Sequence, residues 1–391
     1  MLRNLVTLVF FLLGLCFGLY SYTFGALELN LTSQVDLGGY ALGVYVSGGY
    51  AYVVGEEAGL KIIDVRDPVH PQIVGSLTDM NYAVDVFAWG NYVYISDYGV
   101  GIKIVDVSNP AQPQIIKEVN VSESFGLFIS EDLLYSAQGS TGLKVYNISN
   151  PTNPLLVGFL DADSYTIGAY ISGSYAYVAL LDKGFKIFDI SNLLKPQFLS
   201  QVSIENGYVW SIFVSGEYAY VAAGNEGLQI INIADPSHPQ IISQVDSSDY
   251  TWDVYVFGNY AYLAEGDAGL RVVDISNPQN PQVVASLDTD GYTVRVFVSN
   301  DYAYLADDDG GLKIVHVQES VSNIIGDVSG DNQINIVDAL LIARYTIGLQ
   351  VDNFNPQVAD VNCDNQINII DALFVARKAL GLEVSGWCGG N

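Results

Sequence analysis

The sequence predicts a mainly β protein, a seven-bladed β-propeller closed by an N-terminal strand, followed by a small all-α domain. Three observations predict it. A glycine opening an alternating apolar run recurs at Gly59, Gly101, Gly142, Gly184, Gly227, Gly269 and Gly311, at intervals of 42, 41, 42, 43, 42 and 42 residues. A tyrosine pair precedes most of those glycines at a nearly fixed distance, as Tyr50/Tyr52, Tyr92/Tyr94, Tyr175/Tyr177, Tyr218/Tyr220, Tyr260/Tyr262 and Tyr302/Tyr304; the third copy keeps Tyr135, with Leu133 as its partner. Near the C-terminus a different segment is duplicated 33 residues apart. A fixed long period marks a repeat architecture and has to be recognised before any local reading.

Composition sets the bounds. The chain has 391 residues, half of them apolar, which is room for two or three domains and a sizeable core. Forty-three acids against 15 bases leave a net charge of −28. That field repels nucleic acid and anionic membrane and favours cations or basic partners; it also serves solubility in a saline or calcium-rich medium. Arg3 ahead of the apolar run Leu5 to Tyr20, with the small residues Thr23 and Gly25, predicts a signal peptide over residues 1–25. The expected location is therefore extracellular, secreted or at the cell surface. An uncleaved anchor is the other reading of that run, and no later run is long enough to span a bilayer.

Residues 26–317 are the expected propeller. In the second copy, Tyr82 to Ala88 alternates, with Val84, Val86 and Ala88 on one face and Asp85 and Phe87 on the other. The turn Gly90-Asn91 leads to Tyr92–Ser96, Gly101 opens Ile102–Val107, and Pro113 opens Gln114–Lys117. Period-two runs rich in β-branched and aromatic residues, split by Gly, Asn and Pro, are strands and turns. Four strands in about 42 residues make one propeller blade. The last copy stops after Leu312–Val317 without a proline-led fourth strand. At the other end, Asp36 of Ser33-Gln34-Val35-Asp36 lies 23 residues before Gly59, as Asp246 of Ser243-Gln244-Val245-Asp246 lies before Gly269. Residues 29–35 are thus expected to supply the missing strand and remove an open seam.

The segments GLKIIDV at Gly59, GIKIVDV at Gly101 and GLRVVDI at Gly269, each followed by Pro-x-x-Pro, resemble the LVIVD-repeat family of β-propellers over residues 29–317. The pattern departs at Asn147, Asn232 and His316, which replace the motif Asp, and at Leu193-Leu194, where the first proline is lost. The strand-end acids Asp64, Asp106, Asp189 and Asp274 are expected to accept backbone N–H bonds at the turn. His70 and His238 hold equivalent positions in different blades and His316 stands alone, so no catalytic set is assembled.

What varies between blades points to a site. The first residue of the innermost strand is Tyr40, Tyr82, Glu123, Tyr165, Tyr208, Tyr250 or Tyr292, and the fourth is Gly43, Asp85, Gly126, Gly168, Ser211, Asp253 or Arg295. The innermost strand lines the central channel, so Tyr40, Tyr82, Tyr165, Tyr208, Tyr250 and Tyr292 form an aromatic rim with Asp85, Asp253 and Arg295 below it. Loop acids Asp79, Asp161, Asp163, Asp249, Asp290 and Asp307 to Asp309 add charge to that face. Tyrosines beside carboxylates suit a carbohydrate, because the ring face is apolar and the hydroxyl is not. Packing between blades is the other reading of the same tyrosines.

Residues 318–325 read as a linker and 326–391 as a second domain. Its first loop offers Asp327, Ser329, Asp331, Gln333 (by its carbonyl), Asn335 and Asp338; the second offers Asp360, Asn362, Asp364, Gln366, Asn368 and Asp371. Oxygens at positions 1, 3, 5, 7, 9 and 12 of a 12-residue loop are the calcium arrangement of an EF-hand, so two Ca²⁺ ions are expected. Position 6 is Asn332 or Asn365 in place of Gly, and Asn tolerates the left-handed turn next best. Position 12 is Asp, shorter than the usual Glu. Each loop leads into a helical run, Ala339–Thr346 and Ala372–Leu380. A duplicated Asp-12 loop with one following helix resembles the type I dockerin module over residues 326–383. The resemblance implies a cohesin-type scaffold or other surface protein as partner, and secreted polysaccharide-degrading systems as setting. It also implies a receptor surface at Ile336, Val337, Ala343 and Arg344 and, in the second half, Ile369, Ile370, Ala376 and Arg377. Core packing of a small domain is the other reading of those residues.

Beyond the leader only Cys363 and Cys388 remain, an even pair in an exported chain. Oxidised, they would close about 26 residues and stabilise the module by roughly 3 kcal/mol; two free thiols are the alternative. Together these readings describe a secreted calcium-binding interaction protein, with the propeller as working surface and the tail as attachment. A glycoside hydrolase or lyase using Asp85 and Asp253, and a cell-surface structural or adhesion protein, are the competing readings.

Overall fold

A computed structural model describes residues 27–205, 207–319, 325–330, 333–351 and 354–388. The expected signal peptide, residues 320–324 of the expected linker, and Asp331 with Asn332 lie outside them. The chain forms two compact units, one over Glu28–Gln318 and one that includes Glu319–Asn391. Among the described residues no helix is long and apolar enough to cross a membrane.

The first unit is seven four-stranded sheets, built from strands numbered β1 to β28 along the chain. Blade 2 shows the plan: β6 (Ala83–Trp89), β7 (Tyr92–Asp97), β8 (Gly101–Asp106) and β9 (Gln114–Asn120) pair antiparallel in sequence order. The innermost strands are β2 (Gly43–Ser47), β6, β10 (Leu127–Ser130), β14 (Thr166–Ser172), β18 (Ser211–Ser215), β22 (Asp253–Phe257) and β26 (Arg295–Ser299). Each touches the innermost strand of the next sheet, and β26 touches β2, so the sheets ring a central axis. In the seventh sheet the order is β1–β28–β27–β26, with β1 (Leu27–Val35) outermost, then β28 (Leu312–Glu319) and β27 (Tyr302–Ala306). Gln34 is tied there by its Nε2 to the Gly310 carbonyl at 3.1 Å and by Lys313 Nζ to its Oε1 at 2.8 Å.

The glycine that sets the period has a steric reason. Gly59 sits at φ 64°, and a Cβ there would lie 2.1 Å from the Leu77 carbonyl oxygen of the fourth strand. Gly311 sits at φ 75°, and its Cβ would lie 2.3 Å from the carbonyl oxygen of Val35, in β1. The strand-end acids accept the expected turn bonds: Asp106, Asp189 and Asp274 each take a serine N–H at 2.8 Å, and Asp64 takes that of Arg66 at 3.1 Å. Asn147 and Asn232 keep the bond at 3.0 Å, whereas His316 packs its ring on Tyr302 at 4.9 Å.

Between the blades the interior is aliphatic, as where Val53 and Ile63 meet Leu312 and Ile314. Three blades also bury an ion pair. Lys103 Nζ lies 3.3 Å from Asp97, Arg271 3.2 Å from Glu265 and Lys313 3.8 Å from Asp307, with all six residues buried. Asp307 is therefore not the exposed rim acid that the loop sequence predicts; it faces inward to two threonines and a lysine.

Among its described residues the second unit holds two α-helices, α1 (Ile336–Thr346) and α2 (Ile369–Ala379). They pack through Ala339, Leu341 and Ile342 against Ala372 and Val375, over Val328, Val358 and Val361. Both helices begin three residues earlier than predicted, because Asn335 and Asn368 cap them: each side chain accepts from the backbone two residues on. The C-terminal segment folds back. Cys363 and Cys388 are joined by a disulfide, and Trp387 lies over Gly326, where a Cβ would meet its ring at 2.5 Å.

Candidate functional site

In the second unit, the described carboxylates of both loops are engaged by the loops' own N–H and hydroxyl groups. Asp327 Oδ1 accepts from Gly330 N at 2.8 Å and from Ser329 Oγ at 3.2 Å. Asp338 takes Ser329 N on one oxygen and Asn335 N on the other, at 3.0 and 2.9 Å. In the second loop Asp371 takes Val361 N and Asn368 N at 3.1 and 2.9 Å, Asp360 takes Asp364 N and Asn365 N, and Asp364 takes Gln366 N. Asn362 Oδ1 shares the Asp364 N–H at 2.9 Å. Asn365, at position 6, adopts the left-handed conformation expected of it, with φ 63°. Position 4 is left-handed as well, as Gly330 in one loop and Cys363 in the other.

The Asp at position 12 is also the N3 residue of a capping box with the Asn at position 9, so loop and helix start share two residues. Asp327, Asp338 and Asp371 are completely buried. Burial pushes Asp338 up to about 6 despite three lowering hydrogen bonds, from Asn335 and Ser329, with the Asp327 charge adding to the rise. Burial raises Asp371 too, and Asp360 repels it. A buried Asp at position 12 beside the charge of the Asp at position 1 fits a hard divalent cation, which would relieve both penalties.

Among the residues expected at a receptor surface, Ile336, Ile369, Ile370, Arg344 and Arg377 are exposed. Val337, Ala343 and Ala376 pack partly against the unit's own core. The duplication is thus uneven, because Val337 turns inward where its counterpart Ile370 turns out. The sequence reading missed further exposed apolar side chains: Ile347, Leu349, Leu373, Leu380 and Leu382.

In the propeller, Tyr40, Tyr82 and Tyr208 are 42%, 37% and 47% exposed. Tyr165, Tyr250 and Tyr292 are half-buried and hydrogen-bonded: Tyr165 donates to Glu123 Oε1 at 3.2 Å, and the indoles of Trp210 and Trp252 donate to Tyr250 and Tyr292 at 2.7 and 3.0 Å. The two readings of the rim thus divide its tyrosines between them. Tyr40 and Tyr292 border an open depression of about 630 Å³ whose other lining side chains are all aspartates. Below the rim, Asp85 Oδ2 accepts from Leu127 N of the next blade at 2.7 Å, and Asp253 Oδ2 from Val296 N at 3.1 Å. Burial pushes Asp85 up to about 6, opposed by the Arg295 charge, and raises Asp253 for the same reason.

Two residues further along every innermost strand stands an aromatic: Tyr45, Phe87, Phe128, Tyr170, Phe213, Tyr255 and Phe297. Consecutive rings touch all the way round, at centroid distances of 4.5 to 5.8 Å, and Phe297 closes on Tyr45 at 4.7 Å. The sequence reading placed Phe87 on this face with Asp85 and did not extend the observation to the other copies.

Comparison with known proteins accords with both units. The LVIVD repeat matches seven times, at residues 38–79, 81–121, 124–162, 165–203, 206–247, 249–289 and 290–324. The dockerin type I domain matches residues 325–380. No curated protein matches the chain. Among solved structures, a crystal structure of the computationally designed Ika8 protein is similar at a TM-score of 0.57 and 11% identity, covering 74% of this chain and all of the other; the likeness is one of fold.

Proposed function

Because the chain belongs to the LVIVD repeat family and ends in a dockerin type I domain, we propose that it is an exported protein attached through calcium. In this reading residues 1–25 are removed, residues 26–317 present a binding surface, and residues 326–391 fasten it to a cohesin-bearing scaffold across the linker 318–325. Dockerin type I domains bind calcium and cohesin scaffold proteins. The observation that carries the reading is the repeated loop with a fully buried carboxylate at position 12, Asp338 and Asp371, ahead of a capped helix. One Ca²⁺ per loop would be held by Asp327, Ser329, Asp331, Gln333, Asn335 and Asp338, and by Asp360, Asn362, Asp364, Gln366, Asn368 and Asp371. The ion supplies the positive charge that those carboxylates lack, and the helices then present Ile336, Ile369 and Ile370 to the receptor. For the propeller, the exposed rim tyrosines above Asp85, Asp253 and Arg295 support a carbohydrate ligand and a polysaccharide setting.

Calcium titration of the metal-stripped chain tests this. Two ions per chain are expected, with added stability of about 4 kcal/mol at a thousandfold excess over Kd. Asp327→Ala with Asp360→Ala should abolish uptake. A native chain that takes up no calcium contradicts the proposal.

A further inference from the structure

The seven aromatic rings between the innermost strands do more than fill space. Rings about 7 Å wide at their van der Waals edges cannot stand face-on to the axis at centroid spacings of 4.5 to 5.8 Å without overlapping. Each therefore turns an edge inward, and seven centroids at that spacing leave an opening of roughly 4 Å about the axis, narrower than a sugar ring. Along each innermost strand the order is rim residue first, charged layer fourth and collar sixth. The charged layer consequently lies between the rim face and the collar.

We propose that this mouth is a blind cup that binds the end of a saccharide chain; the ligand class rests on the carbohydrate reading of the rim given above. Ser211, Asp253 and Arg295 stand on consecutive blades 5 to 7 of the wall, and Asp85 stands on blade 2. A single guanidinium between two carboxylates leaves no net positive charge to hold an anion, while a neutral group rich in hydroxyls finds both donors and acceptors. The remaining blades, 1, 3 and 4, contribute glycines to this layer, and they differ. A Cβ at Gly126 would lie 2.7 Å from the Ile167 carbonyl, and one at Gly43 would crowd Val54 and the backbone of blade 2 at 3.0 to 3.2 Å. At Gly168 it would meet only the Trp210 carbonyl, at an ordinary 3.7 Å. Packing requires the first two glycines and does not require Gly168, whose missing side chain keeps the cup open on blade 4. Because the floor is shut, a chain can enter only by its terminus.

Calorimetric titration of the full chain, in calcium, with linear gluco-, xylo- and manno-oligosaccharides tests the cup. Affinity should level off by about three sugar units, and chemical blocking of one terminus should weaken binding about tenfold or more. Gly168→Leu should weaken it as much with an unchanged melting temperature; if that variant is destabilised, Ser211→Leu fills the same layer and is read in its place. Long polymers that carry several copies of the protein per chain, indifference to end-blocking, or full affinity in the filled variant would overturn the cup and leave the carbohydrate reading standing. Failure of every saccharide to bind would overturn both.

Discussion

Asp97 is completely buried in blade 2, where it accepts from the Asn81 and Tyr82 backbone and pairs with Lys103. One carboxylate thus holds a strand of the blade and the loop that sets a rim tyrosine. Glu265 and Asp307 repeat the device, gripping Thr251 and Thr293 in their own blades. Lys103→Met should cost about 3–5 kcal/mol, because it strands a buried charge, and adding Asp97→Asn should recover much of it; urea denaturation measures both. Asp85 shows the opposite balance. Its carboxyl is raised to about 6, chiefly by burial, so the folded state holds a proton that the unfolded state gives up at lower pH. The stability this contributes is present below the unfolded pKa and is lost as pH rises through about 6. Asp85→Asn should therefore raise the melting temperature at pH 8, by a gain on the order of 1–3 kcal/mol, and the gain should fade toward pH 4. A pH-independent difference, or a loss at pH 8, contradicts the assignment.

Among the elements, β1 occupies the place that proline-led strands fill in the other blades. Deleting residues 27–37 should expose β28 as an edge and lower the melting temperature sharply or cause aggregation; a monomeric truncation with unchanged melting would show that β1 is dispensable. The strands were legible because a period of about 42 residues repeats the same glycine and tyrosines, and each copy corrects the reading of the others. Other features were not, for physical reasons. Nothing in the sequence marks Lys103, Arg271 and Lys313 as buried, and only the fold brings them to acids at the end of the neighbouring strand. Phe87 and its six counterparts alternate like any strand residue, so their contact depends on ring closure. The helices start earlier than the sequence predicts because Asn335 and Asn368, expected as calcium ligands, serve also as caps. The duplication equates Val337 with Ile370, and the packing of Val337 against the unit's own core separates them.

At the scale of the whole molecule, the two units should respond differently to metal. Chelation should lower or abolish the melting transition of residues 326–388 and leave that of the propeller nearly unchanged; scanning calorimetry resolves this, and a common shift would contradict it. The central claim is attachment through a dockerin surface that calcium organises. Its most direct measurement is titration of the full chain with a panel of type I cohesins, with calcium and after chelation. Ile336→Asp and Ile369→Asp change the two equivalent exposed isoleucines, so each should spare folding, as circular dichroism would verify. The account predicts tight binding in calcium, none after chelation, tolerance of either single change and loss with both, since buried unpaired carboxylates cost several kcal/mol at an interface. Binding that survives chelation, or that is untouched by the double change in a folded chain, would contradict it.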